Sequence, residues 1–216
     1  NRHKNKHDHN HIIEQVPTDY YEKGIKENML QRLWHTNKLK EVLMEINILV
    51  PGKKVLDVGC ASGWFLSEVS KKYPSARCFG IDIYDKGISY AKKKHPFIEF
   101  KVADAHKIPY SENFFDLVLC TEVLEHLREP KTALFEIKRV LKKNGTAIIE
   151  LDTGGLLFST VWFFWSKSRG NVWREAHLHS FNPEKLEKTI LECGFVIVNM
   201  KEFNLGMAMV FTLKKM

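Results

Sequence analysis

The sequence predicts an α/β fold in which helices cover both faces of a mostly parallel sheet, giving a three-layer sandwich. Short apolar strands alternate with amphipathic helices from residue 54 onward, and this alternation is typical of parallel strands joined by helical crossovers. The last two strand-like segments, 195–204 and 207–215, have no helix between them. They therefore predict an antiparallel pair at one edge of the sheet. A length of 216 residues fits one domain.

The individual elements follow from hydrophobic periodicity and from glycine and proline punctuation. Strands are predicted at residues 54–59, 77–83, 98–105, 115–121 and 146–152, and helices at 62–73, 86–94, 131–143 and 183–194. The third of these helices is expected to stop at Gly145. The other predicted parts are a disordered polar tail at 1–16 and a single domain at 17–216, which includes a helical cap at 20–50 and an aromatic insertion at 153–181.

Composition and charge are those of an ordinary globular protein. Hydrophobic residues make up 44% of the chain and charged residues 27%, which excludes a disordered chain. The net charge of +7 permits an anionic partner without requiring one. Cys60, Cys78, Cys120 and Cys193 lack metal-ligand spacing, so we expect reduced, mostly buried thiols in a cytoplasmic protein. The histidine-rich start, HKNKHDHNH, offers metal ligands, but its polar composition favours disorder and no metal site is predicted.

The segment VLDVGCASG joins a buried strand to a helix through a glycine turn. A dinucleotide site needs the pattern G-x-G-x-x-G, whereas Gly59, Ala61 and Gly63 form a different spacing. Asp57 precedes this turn, and a carboxylate there would repel a pyrophosphate but attract an ammonium group. Asp82 ends the next strand, where it is placed to accept hydrogen bonds from a ribose. S-adenosylmethionine has the ammonium, the ribose and an adenine, and it has no phosphate.

The following strand ends fit the same ligand. Asp104 is placed to accept a hydrogen bond from the exocyclic amine of adenine, and Ala105 leaves room for a flat ring. Ile83 and Thr121, at the ends of the second and fourth strands, complete the predicted cofactor-binding set. The alternative is that the carboxylates only cap turns and that the glycines only shape them.

Four motifs in this order resemble the class I S-adenosylmethionine-dependent methyltransferases of the small-molecule type, and are similar to the quinone-type enzymes. They are VLDVGCASG, GIDI, VADAHKIPYSENFFDLVLCTEVLEHL and RVLKKNGTAIIE. The resemblance implies a seven-stranded Rossmann-like sheet with its last strand antiparallel, and S-adenosylmethionine as cofactor. Ala61 departs from the family pattern, in which glycine is common, but alanine is small enough for close approach of the backbone.

The methyl acceptor is predicted from the aromatic insertion. Its apolar run, 156–165, is about half of the ~20 residues that span a bilayer. Trp162, Trp165 and Trp173 suggest a lid over an apolar acceptor, and the alternatives are a segment resting on a membrane surface or a buried core helix. Basic residues lack interleaved aromatic residues, so nucleic acid is an unlikely partner. The sequence carries no signal of oligomeric state.

The predicted function is therefore methyl transfer to oxygen or carbon of a small acceptor that is apolar or lipid-linked. The alternatives are a nucleic-acid or protein methyltransferase, or a non-catalytic cofactor-binding protein. A cytoplasmic location is expected, with peripheral membrane contact through the insertion as an alternative.

Two histidines are candidates for the general base. Many relatives carry an H-x-x-x-F element before a proline-containing helix start, which His177, Phe181 and Pro183 match. An imidazole titrates near neutrality and is suited to taking a proton from a hydroxyl; the alternative is that His177 only fastens the lid by a hydrogen bond. His126 lies in EVLEHL, a string that is associated with a metal in the quinone-type O-methyltransferases but is widespread without one. We expect it to order the loop, and we predict no metal.

Overall fold

The computed structural model describes residues 15–46, 52–168, 178–179 and 181–216. Its elements, in chain order, are α1 (Tyr20–Glu27), α2 (Met29–Glu45), β1 (Lys54–Val58), α3 (Trp64–Lys72), β2 (Arg77–Asp82), α4 (Asp85–Lys94), β3 (Glu99–Val102), β4 (Phe115–Thr121), a short 3-10 helix (Leu124–His126), α5 (Pro130–Val140), β5 (Leu141–Asp152), α6 (Leu156–Ser168), α7 (Pro183–Glu192), β6 (Val196–Phe203) and β7 (Ala208–Lys214).

The strands form one seven-stranded sheet in the order β3-β2-β1-β4-β5-β7-β6. Strands β1 to β5 pair in parallel, and β7 lies antiparallel to both β5 and β6. The predicted fold class is therefore confirmed. The strand order reverses between β1 and β4, and ligands of such sheets bind beyond the carboxyl ends of the strands at this point.

Apolar residues at successive positions of β1 pack into two separate hydrophobic cores, one on each face of the sheet. Val55 packs with Val42 of α2 and Leu66 of α3 on one face, whereas Leu56 packs with Ile137 of α5 on the other. All of them are fully buried. Since side chains of a strand alternate between faces, a continuous apolar run is what a sheet covered on both sides requires. The helical cap thus contributes Val42 to the core on one face of the sheet.

Several predicted boundaries differ from the structure, and those of α5, β5 and the cap have clear physical reasons. Helix α5 ends at Val140 rather than continuing to residue 143, because Leu141 is fully buried and pairs with Phe115 in the sheet. Gly145 consequently lies inside β5. The cap contains two helices, and the second begins after Asn28, whose side chain accepts hydrogen bonds from two backbone amides of its first turn.

The remaining predictions on the chain's organisation meet the structure in part. Residues 1–14 of the predicted tail lie outside the described residues, but Val16 is buried and its carbonyl accepts a 2.5 Å hydrogen bond from the Tyr84 hydroxyl. The domain therefore includes Val16. All four cysteines are buried and free, as predicted. Within the described ranges, no helix has both the length and the apolarity to cross a bilayer.

Candidate cofactor and acceptor site

A cavity of about 1510 Å³ opens at the carboxyl ends of the central strands. Its lining residues come from the segments that follow β1 to β5, and from α1, α2 and α6. Sites for a single small molecule measure roughly 300–1,000 Å³. This cavity therefore has room for a cofactor and a second molecule together.

The glycine turn after β1 forms part of the cavity wall. Gly59 has a φ of 78°, and a Cβ added to it would lie 2.2 Å from Cγ2 of Val123. Its amide donates a 2.8 Å hydrogen bond to the carbonyl of Ile81, which ties the turn to β2. Ala61 also has a left-handed backbone, with a φ of 47°. The chain thus leaves the backbone of this turn open to a ligand, and glycine is required at residue 59.

Asp82 supports the turn from the end of β2. One carboxylate oxygen accepts a 2.7 Å hydrogen bond from the amide of Ala61, and the other accepts a 2.8 Å bond from the amide of Tyr84. Burial raises the pKa of Asp82, whereas these backbone amides oppose the rise. Since each carboxylate oxygen has two acceptor positions, both retain capacity for a ribose diol on the cavity side. The carboxylate therefore caps the turn, and its contact with ribose remains a prediction.

Asp57 lies behind the wall and is only 2% exposed. Its Oδ1 atom has no hydrogen-bond partner among the residues that the structure describes. Burial raises the pKa of this carboxyl to about 8, with the positive charge of Lys38 opposing and the negative charge of Asp82 adding to the rise. Asp57 does not line the cavity, so the attraction that we predicted between this carboxylate and the ammonium group would act across Gly59 rather than by direct contact.

The residues predicted to hold the adenine line the cavity after β2 and β3. Ile83, which is 41% exposed, and Ala105 both line the cavity. Asp104 lines it as well, and its Oδ1 atom accepts a 2.9 Å hydrogen bond from the amide of His106. The structure thus brings six of the predicted cofactor residues to one wall: Gly59, Ala61, Asp82, Ile83, Asp104 and Ala105. It leaves three behind that wall: Asp57, Gly63 and Thr121.

Glu122 connects the helical cap to the segment after β4. Its backbone has a φ of 53°, and its carboxylate accepts hydrogen bonds from Trp34 Nε1 at 2.9 Å and from Lys38 Nζ at 2.8 Å. Burial alone would raise the pKa of Glu122, but the adjacent Lys38 ammonium lowers it to about 2. Burial would likewise lower the pKa of Lys38, and Glu122 raises it. The ion pair therefore holds α2 over the cavity.

Further carboxyl groups are buried next to this pair. Glu125, Glu150 and Asp152 are at most 8% exposed, and Glu125 and Asp152 line the cavity. Burial raises the pKa of all three, to about 7 for Asp152, and the negative charges of neighbouring carboxylates, including Glu122, add to the rise. The surroundings therefore favour the neutral form of these carboxyl groups.

Aromatic side chains of α2 and α6 form another part of the cavity wall. The ring centroid of Phe158 lies 6.2 Å from that of Trp34 and 5.6 Å from that of Trp162. All three line the cavity, and Val161 beside them is 45% exposed. The described part of the insertion thus lines the cavity, and its role as a lid over the acceptor stays a prediction. Trp173 lies outside the described residues.

Comparison with known proteins places this arrangement in a family. Residues 56–149 match the family model described as a methyltransferase domain. The chain is 30% identical over 127 residues to a demethylmenaquinone methyltransferase of Renibacterium salmoninarum, covering 56% of this chain and 51% of the relative. It is 33% identical over 98 residues to a fatty-acid O-methyltransferase of Mycolicibacterium smegmatis, covering 44% and 36%.

Residues 56–149 are thus similar to a methyltransferase domain. A solved S-adenosylmethionine-dependent methyltransferase of Thermotoga maritima, described as a possible histamine N-methyltransferase, has the same fold, with a TM-score of 0.70 at 19% identity over 95% of this chain and 99% of that one. The predicted resemblance to class I S-adenosylmethionine-dependent methyltransferases is confirmed. The chain spans about half of the quinone relative and about a third of the fatty-acid relative, so these matches identify the domain.

Of the two histidines predicted as bases, only His126 lies among the described residues. His126 lines the cavity from the 3-10 helix. His177 lies outside the described residues, so its role stays a prediction. Among the described residues, no group of three ionisable side chains has the geometry of a metal site.

Three residues at the cavity were not predicted from the sequence: His35 and Asp152 line it, and Lys38 pairs with Glu122 beside it. His35 and Lys38 are buried on α2, and their spacing with Val42 marks one helix face. A charged residue on a buried helix face was the signal that could have located them. Asp152 ends a strand, as Asp57 and Asp82 do, and the same rule would have found it.

Proposed function

We propose that the protein transfers the methyl group of S-adenosylmethionine to oxygen or carbon of a small acceptor that is apolar or lipid-linked. The observation that carries the proposal is a single cavity with two unlike walls, one made of strand ends and one made of aromatic and aliphatic side chains. Relatives named for a demethylmenaquinone and for a fatty acid support an apolar acceptor.

The strand ends fit the cofactor. The ribose diol is assigned to Asp82, and the adenine to the slot between Ile83 and Ala105, with Asp104 accepting from its amine. The unpartnered Oδ1 atom of Asp57 lies behind the turn, and a bound ammonium group would lower the pKa of this carboxyl, so that Asp57 supplies negative charge toward the ammonium when the cofactor is present. When bound, S-adenosylmethionine supplies a methyl group on a positively charged sulfur.

The opposite wall fits an apolar acceptor. Leu30 and Leu33 of α2 line the cavity although they are 65% and 51% exposed. Apolar side chains that converge on a cavity mouth usually mark contact with an apolar partner. Since methyl transfer from a sulfonium removes charge, a water-poor wall also favours the reaction. We include contact with a membrane surface in the proposal, because Leu157 and Phe163 are about half exposed on α6.

The cofactor assignment is tested by calorimetry. S-adenosylmethionine and its demethylated product should bind, and NAD should not. Asp82→Asn should weaken binding by about 10-fold or more, because a charge-assisted hydrogen bond contributes roughly 1.5–3 kcal/mol. The matched control is Asp85→Asn, an exposed carboxylate three residues later, which should bind normally. Binding of NAD by the unaltered protein would refute the cofactor assignment.

The acceptor is tested by transfer of a labelled methyl group into fractions of cell extract, including the lipids. We expect label in an organic-soluble fraction. Label in nucleic acid or protein that disappears in moderate salt would indicate the polyanion alternative instead. Cofactor binding without label in any fraction would indicate a non-catalytic binding protein. Flotation with liposomes, comparing Phe163→Ala with the unaltered protein, tests the membrane contact.

A further inference from the structure

The acceptor end of the cavity carries two carboxyl groups that the proposed function does not use. Glu125 is 2% exposed and Asp152 is 8% exposed, yet both line the cavity. The Oε2 atom of Glu125 has no hydrogen-bond partner among the described residues. Buried polar groups normally have partners, so a carboxyl oxygen on a cavity wall indicates that a polar ligand atom belongs near it.

The fold places Asp152 on the cavity between the end of β4 and the start of α6. It ends β5, two positions after Glu150, which pairs with Thr121 at the end of β4. Its Oδ1 atom accepts a 3.0 Å hydrogen bond from the amide of Gly154, just before α6 begins at Leu156. The carboxyl group therefore lines the cavity next to the helix that carries the aromatic side chains.

The groups around Asp152 keep it from ionising at low pH. Glu122 and Glu125 face it from the segment after β4, and Glu150 from its own strand. The positive charge of Lys38 on α2 is already paired with Glu122. His35, His126, Arg128 and Glu129 are further ionisable groups that line the cavity, and residues 156–163 of α6 contain none.

We propose that Asp152 is the general base of the reaction, taking the proton from a hydroxyl or acidic carbon of the acceptor as that atom is methylated. This inference rests on the proposed function. The acceptor's electron pair forms the new bond to the methyl carbon, and the bond between methyl and sulfur breaks with its electrons moving to sulfur. The proton goes to the Asp152 carboxylate. One positive and one negative charge are thereby removed together, which suits a buried site.

The acidity of the Asp152 side chain fits the role of a general base, as its position on the cavity does. Burial, opposed by the Gly154 amide and reinforced by Glu122, raises its pKa to about 7. A base is most effective when its pKa lies near the operating pH. Because the group accepts a proton only when ionised, the rate should rise as pH increases through about 7.

A titration of the protein bound to the demethylated cofactor tests this without any acceptor. The carboxyl stretching band in infrared difference spectra should lose intensity near neutral pH, and Asp152→Asn should remove that change. Asparagine keeps an oxygen for the Gly154 amide, so the fold should be preserved. If the spectra of the two proteins titrate identically between pH 6 and 8, Asp152 is not the base.

Methyl transfer to two probes gives an independent test. The probe 2-naphthol must lose a proton, whereas decanoate is already ionised at neutral pH. Asp152→Asn should slow transfer to 2-naphthol by about 10²-fold and transfer to decanoate by less than about 3-fold, and Asp152→Glu should restore part of the loss. Asp85→Asn is the matched control. An equal loss on both probes would overturn the role of Asp152.

The two tests also separate this inference from the proposed function. Failure of the unaltered protein to methylate either probe would count against the proposed acceptor class, while the titration would still decide on Asp152. Loss of transfer to 2-naphthol in His126→Gln with full activity in Asp152→Asn would assign the base to the histidine.

Discussion

The two walls of the cavity are built by different means. The cofactor wall consists mainly of backbone at strand ends, where Gly59 and Asp82 are linked through Ala61 over short stretches of chain. The acceptor wall consists of side chains from α2, α6 and the segment after β4, which meet only in the folded protein. One wall therefore depends on local backbone geometry, and the other depends on tertiary contacts.

The largest effect is expected from breaking the cofactor wall at Gly59. Gly59→Ala would place a Cβ 2.2 Å from the side chain of Val123 on a backbone with a φ of 78°. We expect at least a 10²-fold loss of affinity for S-adenosylmethionine in calorimetry. Gly52→Ala is the matched control, because its φ is 81° and no atom lies within 4 Å of the added Cβ. It should cost only the backbone strain of about 1–2 kcal/mol and leave cofactor binding intact.

On the acceptor wall, the largest loss of stability is expected from breaking the ion pair between Lys38 and Glu122. Glu122→Gln would leave the ammonium of Lys38, whose side chain is 5% exposed, without its partner. Removing one member of a buried pair costs about 3–5 kcal/mol, and the partial exposure of Glu122 favours the lower end of that range. Chemical denaturation should report this loss. Glu68→Gln, which removes an exposed pair with Lys71, should change stability by about 0.5 kcal/mol or less; equal losses would show that the Lys38 pair does not hold the cap.

This difference between the walls also explains what the sequence could predict. The turn at Gly59 and the carboxylate of Asp82 belong to one continuous strand-helix-strand unit, β1-α3-β2, and the structure brings both to the cavity. The contact between Lys38 and Glu122 joins residues 84 positions apart, and no local pattern pairs them. Leu141 shows the same limit, because its pairing with Phe115 overrides the helical pattern around it.

The pH dependence of stability should reveal the protonation of Asp57, which lies behind the cofactor wall. Its pKa is raised to about 8 in the folded protein, above the ordinary value of about 3.9 in the unfolded chain. The unfolded state therefore releases this proton first, and stability falls as pH rises between these two values. Asp57→Asn should remove a slope of roughly 1 kcal/mol per pH unit in cofactor-free denaturation curves between pH 5 and 7. An unchanged slope would show that Asp57 is ionised in the folded protein.

The smallest effect on the cofactor wall is expected from Trp162→Ala. The Trp162 ring is half-buried and stacks on Phe158 at the acceptor side of the cavity, and no strand end of the cofactor wall depends on it. Affinity for S-adenosylmethionine should change by less than about twofold, whereas transfer to an apolar acceptor should fall because its apolar contacts are lost. Phe163→Ala, which removes a ring that is 52% exposed on the same helix, is the control and should leave transfer in solution unchanged. A loss of about 3–5 kcal/mol of stability in Trp162→Ala, the magnitude for a core aromatic residue, would instead make α6 part of the core.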